Sequence, residues 1–127
     1  MTPNSAVIIQ EVRAEFEALL GYVTGEKAQE ARAAEIERGL LKRLLGMGAQ
    51  LLLLYFVQRA QSNPRTPQRN AQGEELPYHG QRTRDYFSLF GKLSVPRPYF
   101  YRSGVGASSP LDAELSLGAD CYSAPLR

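Results

Sequence analysis

The residues best suited to chemistry in this chain are arginines interleaved with tyrosines. Arg82, Arg84 and Tyr86 follow one another at steps of two, and so do Arg97, Tyr99 and Tyr101. In an extended strand that step puts all the side chains on one face. Arginine grips phosphate with a planar fork, and tyrosine hydrogen-bonds phosphate or stacks on a base. Lys92 and Arg102 add charge alongside. These eight residues are the expected nucleic-acid-binding set. A second reading of the same pattern is cation–π pairing that stabilises an exposed hairpin and binds nothing.

The other reactive side chains form no comparable pattern. Asp112, Glu114 and Asp120 have the chemistry to hold magnesium, but no run of buried strands is there to position them. A solvated acidic turn is expected, and a metal-dependent enzyme built on these residues ranks last. Ser116, Cys121 and His79 form no triad. Cys121 is read as structural or incidental, and His79 as a loop residue with at most a phosphate contact. A single cysteine and a single histidine among 127 residues exclude an internal disulfide framework and a cysteine or multi-histidine metal site. No catalytic residue, metal or cofactor is expected.

A β-hairpin over residues 82–102 would position the arginines and tyrosines. Gly91-Lys92 suits a type II′ turn, with Phe90 and Leu93 as the closing pair. That register pairs Arg82 with Tyr101, Arg84 with Tyr99 and Tyr86 with Arg97. It places Pro96 opposite Phe87 and Pro98 opposite Asp85, both at positions that do not hydrogen-bond, where an edge strand tolerates proline. Phe87, Leu89 and Phe100 then form the core face.

Upstream, Ile8, Ile9, Val12, Phe16, Leu19, Leu20 and Val23 recur at three- and four-residue steps, the mark of an amphipathic helix. Thr24-Gly25 ends it. A second helix is expected from Glu26 to Gln61, apolar nearly all round from Leu40 to Val57, with Gly39, Gly46 and Gly48 allowing another backbone close. Two helices cannot cover that much leucine, so a covering is expected on this helix: further chain of a larger protein, with a homodimer through Leu40 to Val57 as the next alternative. Residues 62–81, rich in proline and turn residues, read as a mobile loop. Residues 103–127, rich in Gly and Ser, read as an irregular tail. The chain is therefore expected to be α+β, with a helical region 1–61, a loop 62–81, a hairpin 82–102 and a tail 103–127. The strongest apolar stretch, Leu44 to Val57, contains Gln50 and is shorter than the about 18 residues a membrane span needs. With no leader pattern at the start, a cytoplasmic protein without a membrane partner is expected. The net charge is only +2, but the cations are 12 Arg against 3 Lys, which favours fork-like recognition of phosphate or carboxylate.

Six ordered blocks carry a resemblance. They are Phe16–Glu26 (FEALLGYVTGE), Leu51–Val57 (LLLLYFV), Leu76–His79 (LPYH), Arg84–Lys92 (RDYFSLFGK), Arg97–Tyr101 (RPYFY) and Pro110–Gly118 (PLDAELSLG). In order and spacing they resemble insertion-sequence transposases of the ISKra type, across roughly residues 10 to 123. The resemblance implies the N-terminal, non-catalytic portion of a larger protein. In such proteins this portion is taken to bind double-stranded DNA at transposon ends, and a downstream RNase H-like domain carries an Asp-Asp-Glu triad. No catalytic residue transfers to this chain. The tail Ser123–Arg127 departs from the family, which continues there into a helix that Pro125 discourages. A truncated copy, or the product of a decayed element, is the expectation that follows.

Overall fold

The computed structural model describes residues 4–118 and 120–126. Residues 1–3, 119 and 127, which fall in the expected helical region and tail, lie outside the described residues. The architecture is α+β, as expected. A pair of long helices is followed by a small antiparallel sheet that packs on the second of them.

Helix α1 (Ser5–Thr24) starts at Asn4, whose Oδ1 accepts from the Ala6 amide at 2.8 Å and so satisfies one of the free donors of the first turn. It ends before Gly25. The second helix is not continuous from Glu26. A short α2 (Glu26–Glu30) precedes α3 (Ala33–Ser62), and Ala31 and Arg32 between them are extended. Ala31 and Arg32 are good helix formers, so the cause of the break is tertiary. Tyr22 seats its ring at Gly39, where a β-carbon would stand 1.9 Å from the tyrosine oxygen, and its hydroxyl donates to the Glu35 carbonyl at 3.4 Å. At about 1.5 Å of rise per residue, Gly39 in an unbroken helix would lie about 20 Å beyond the turn, out of reach of Tyr22. Opening the chain at residues 31–32 brings the two together.

The segment expected to be a loop contains structure. Strands β1 (Gln68–Arg69) and β2 (Glu75–Leu76) pair antiparallel. Their turn is built by Asn70, whose Oδ1 accepts from the amides of Gln72 and Glu74 at 3.0 and 2.8 Å. Leu76 is fully buried. Strand β3 (Tyr78–Ser88) begins four residues before the expected hairpin and pairs with β4 (Gly91–Arg102).

The hairpin register differs from expectation by four residues. Ser88 faces Gly91, so Leu89-Phe90 is the turn. The Ser88 hydroxyl accepts from the Phe90 amide at 3.0 Å and donates to the Gly91 carbonyl at 2.8 Å. Phe90 in turn lies on α3 at Gly48, where a β-carbon would meet its ring at 2.5 Å. A slip of four preserves both the face of every side chain and the type of every pair. Pro96 now faces Thr83 and Pro98 faces Gln81, still at positions without ladder bonds. The expected core face is corrected, however. Phe100 is buried, but Leu89 is in the turn and exposed. The face that meets α3 is the other one, where Leu93 and Val95 pack with Phe56 and are joined by Tyr86, Leu52, Leu115 and Leu117.

The tail is ordered as well. Strand β5 (Gly106–Ser108) pairs with the end of β4, and helix α4 (Pro110–Glu114) follows. The chain then returns to the far edge of β3. There the Phe87 amide donates to the Cys121 carbonyl at 2.7 Å, and the Ser123 amide donates to the Phe87 carbonyl at 2.9 Å.

Helix α3 has two different halves. Phe56, Val57 and Ala60 are buried, whereas Leu41, Leu44, Leu45 and Leu51 are exposed, together with Phe16 and Leu20 of α1. By length and composition α3 is apolar enough to cross a membrane, with a mean hydropathy of 1.5 over its most apolar 18 residues, while its second half is occupied by the sheet.

Gly46 and Gly48 separate propensity from packing. A β-carbon at Gly46 meets nothing within 4 Å, whereas one at Gly48 meets the Phe90 ring. Gly46→Ala is expected to raise the urea-derived unfolding free energy by up to about 1 kcal/mol. Gly48→Ala is expected to fall below it by more than about 1 kcal/mol, because the hairpin turn must lift. Equal effects at the two positions would show that Phe90 is not seated there.

Candidate nucleic-acid interface

The sheet divides the eight expected site residues into an inward group and an outward group. Arg84, facing Val95, and Arg97, facing Arg82, turn toward α4. Both donate to one oxygen of Asp112: Arg84 Nη1 to Oδ2 at 3.2 Å and Arg97 Nη1 to the same Oδ2 at 2.6 Å. Their side chains are 13% and 22% exposed, and that of Asp112 is 24% exposed. The second terminal nitrogen of Arg84 donates to the carbonyls of Gly118 and Asp120. These two arginines therefore hold the tail. The ladder of three Arg–Tyr pairs is replaced by Arg82–Arg97, Arg84–Val95 and Tyr86–Leu93.

The acidic turn is corrected too. Asp112 is partly buried as the shared acceptor of two guanidinium groups, and Glu114 is tied to the end of α3 by Asn63 Nδ2 at 3.0 Å and Arg59 at 3.7 Å. Asp112 was discoverable in principle, because one face of the hairpin carries three arginines and no carboxylate.

Tyr86 also lies inward, its ring 5.3 Å from that of Phe56 in an edge arrangement. Lys92 is at the turn end, on the other face, 3.7 Å from Asp85. Arg102 is exposed opposite Gly106.

The remaining three residues meet at the open end of the sheet, beyond the reach of α3. The Arg82 guanidinium lies 4.2 Å over the Tyr99 ring. Tyr99 and Tyr101 are stacked at 6.1 Å, and His79 sets its edge against both, at 5.9 and 5.3 Å. His79 reaches them because the register shifts between Tyr78 and Gly80, a bulge that Gly80 permits with φ of +129°. Gly80 inside a strand pattern was the signal for it. On the opposite face Arg65 lies with its guanidinium 4.7 Å over Tyr78, which packs on Phe100, and donates to the Tyr78 hydroxyl. A polar groove of about 330 Å3 adjoins the cluster, lined by Arg82, Arg97, Tyr99, Ser108, Ser109 and Asp112.

This arrangement is rich in groups that bind. It offers cations, hydroxyls and aromatic faces, which suit phosphate contact and base stacking. Among the described residues no group of three or more His, Cys, Asp or Glu side chains converges as a metal site. No protein-family model, curated protein or solved structure matches the chain.

Asp112→Asn keeps the side-chain shape but leaves two partly buried cations without a counter-charge. It is expected to lower stability by about 3 kcal/mol, since removing one partner of a buried pair strands the other. The double variant Arg84→Ala with Arg97→Ala should likewise unfold at lower urea concentration. A wild-type denaturation midpoint in both would show that the clamp contributes nothing.

Proposed function

We propose that this chain binds double-stranded DNA as the non-catalytic N-terminal region of an insertion-sequence transposase of the ISKra type. The observation that carries the DNA-binding part is the gathering of Arg82, Tyr99, Tyr101 and His79 at the exposed end of the sheet. The sheet is three-stranded at this end, where β5 pairs with β4, and Arg82, His79 and Tyr101 are exposed on it, which suits phosphate contact and stacking. The six sequence blocks support the family reading. On this reading the protein acts in the cytoplasm, needs no cofactor and has no catalytic step of its own.

A second reading is self-association through the helices, and the exposure of Leu41, Leu44, Leu45 and Leu51 beside Phe16 and Leu20 favours it. A second copy suits that face by charge. α1 carries Glu11, Glu15 and Glu17 against Arg13, whereas α3 carries Arg38, Lys42, Arg43 and Arg59 against Glu35 and Glu37. An antiparallel pairing of two copies would set the acidic helix of one on the basic helix of the other.

Fluorescence anisotropy with a labelled duplex at several salt concentrations tests the first reading. Affinity is expected to fall steeply with salt. Arg82→Ala is expected to weaken binding severalfold and to flatten the salt dependence by about one phosphate contact. Unchanged affinity and slope would remove the open end of the sheet from the interface. Mass that rises with concentration, from a folded chain that binds no DNA, would establish the helical reading instead.

A further inference from the structure

Helix α3 carries an uncovered stripe that is symmetric about Gly48. Leu45 and Leu51 stand three residues before and after that glycine, Leu41 and Tyr55 seven, and Glu37 and Arg59 eleven. Offsets of three, seven and eleven keep all of them on one side of a helix. Leu41, Leu45, Leu51 and Tyr55 are exposed, and so is Glu37. α1 does not cover this side. Its Tyr22 seats at Gly39, nine residues from Gly48 and therefore on the opposite side of the helix. The chain's own hairpin reaches the stripe at its centre. There the Phe90 ring stands in for the missing side chain of Gly48 and is itself 40% exposed.

A pattern that reads alike in both directions is complementary to itself reversed. When two identical helices pair antiparallel about a two-fold axis, each residue faces its counterpart from the other side of the axis. With the axis at Gly48, Leu45 of one copy meets Leu51 of the other, Leu41 meets Tyr55, and Glu37 meets Arg59. Apolar contacts fill the centre, and opposite charges close both ends. Arg59 is held at its end of the stripe, with Nη1 donating to the Tyr55 hydroxyl at 3.3 Å and Nη2 3.7 Å from Glu114, and its side chain is still 40% exposed. A parallel pair would instead set like charges together at each end, which costs affinity. A lipid surface would accept the leucines in any order.

We propose that two copies of this chain associate through α3, antiparallel about a two-fold axis at Gly48, with the two Phe90 rings at the axis. This rests on the self-association reading and narrows it. The order of residues along α3 selects that helix packed on its own copy, in place of the contact between α1 and α3 that total charge allows.

The test is sedimentation equilibrium on the full chain over a range of concentrations, with circular dichroism to confirm that each variant is folded. The wild type is expected to dimerise. Leu41→Glu is expected to weaken the dimer about tenfold or more, because a charge replaces a leucine in the contact. Leu45→Glu serves if Leu41→Glu unfolds. Leu20→Glu, on α1, is expected to leave the dimer unchanged. Glu37→Arg and Arg59→Glu, each alone, are expected to weaken it severalfold. Mixed in equal amounts they are expected to recover it, since the mixed pair alone sets opposite charges at both ends. The leucine variants carry the test if Arg59→Glu, which faces Glu114, unfolds. A mixture no tighter than either variant alone, or a dimer weakened by Leu20→Glu and not by Leu41→Glu, would overturn the α3 axis and leave self-association standing. A chain that is monomeric at every concentration would overturn both.

Discussion

Asp112 is the constraint on which the lower half of the molecule depends. Three arginines project from one face of the hairpin, and Arg82 and Arg97 stand directly opposite each other across the strands. Like charges in that position repel. A single carboxylate from the tail resolves the conflict by accepting from Arg84 and Arg97 through one oxygen. Arg82 is left to lie over Tyr99. The same contact draws α4 over the sheet, buries Leu111, and lets Arg84 reach the carbonyls beyond it. A strap from one edge of the hairpin to the other is thereby closed. Both β3 and β4 gain backbone partners from it, which protects edges that would otherwise invite pairing with another chain.

The parts of the fold legible in the sequence were those written in periodicity. The helical stripes, the stop at Gly25 and the existence of a hairpin all follow from spacing. So does the shared face of Arg82, Arg84, Tyr86, Arg97, Tyr99 and Tyr101. Register was not legible, and the reason is physical. Alternation repeats every two residues, so a slip of four changes every partner and leaves the pattern untouched. What sets the true register is the Ser88 hydroxyl closing its own turn and Gly48, forty residues upstream, making room for Phe90. The break before α3 is hidden for the same reason, because it answers the distance between Tyr22 and Gly39 rather than any local preference.

The site was half legible. Residue type and parity brought Arg82, Tyr99 and Tyr101 together correctly. They could not show that Arg84 and Arg97 would be claimed by a carboxylate in a segment whose composition suggested no structure. That segment contributes three leucines, two acids and a few backbone bonds, which is enough to order it and too little to alter its composition. His79 entered through a bulge, and a bulge depends on one glycine rather than on a pattern.

Helix α3 runs for 30 residues, and its two halves serve different neighbours. From Leu41, among the exposed leucines, to Ser62, where the chain turns toward the sheet, is about 30 Å of continuous helix. That is several times the distance over which charges are screened in physiological salt. Charges at the Leu41 end are therefore screened from those at the Ser62 end. What joins them is the helix itself, seated on the sheet through Phe56 and Gly48.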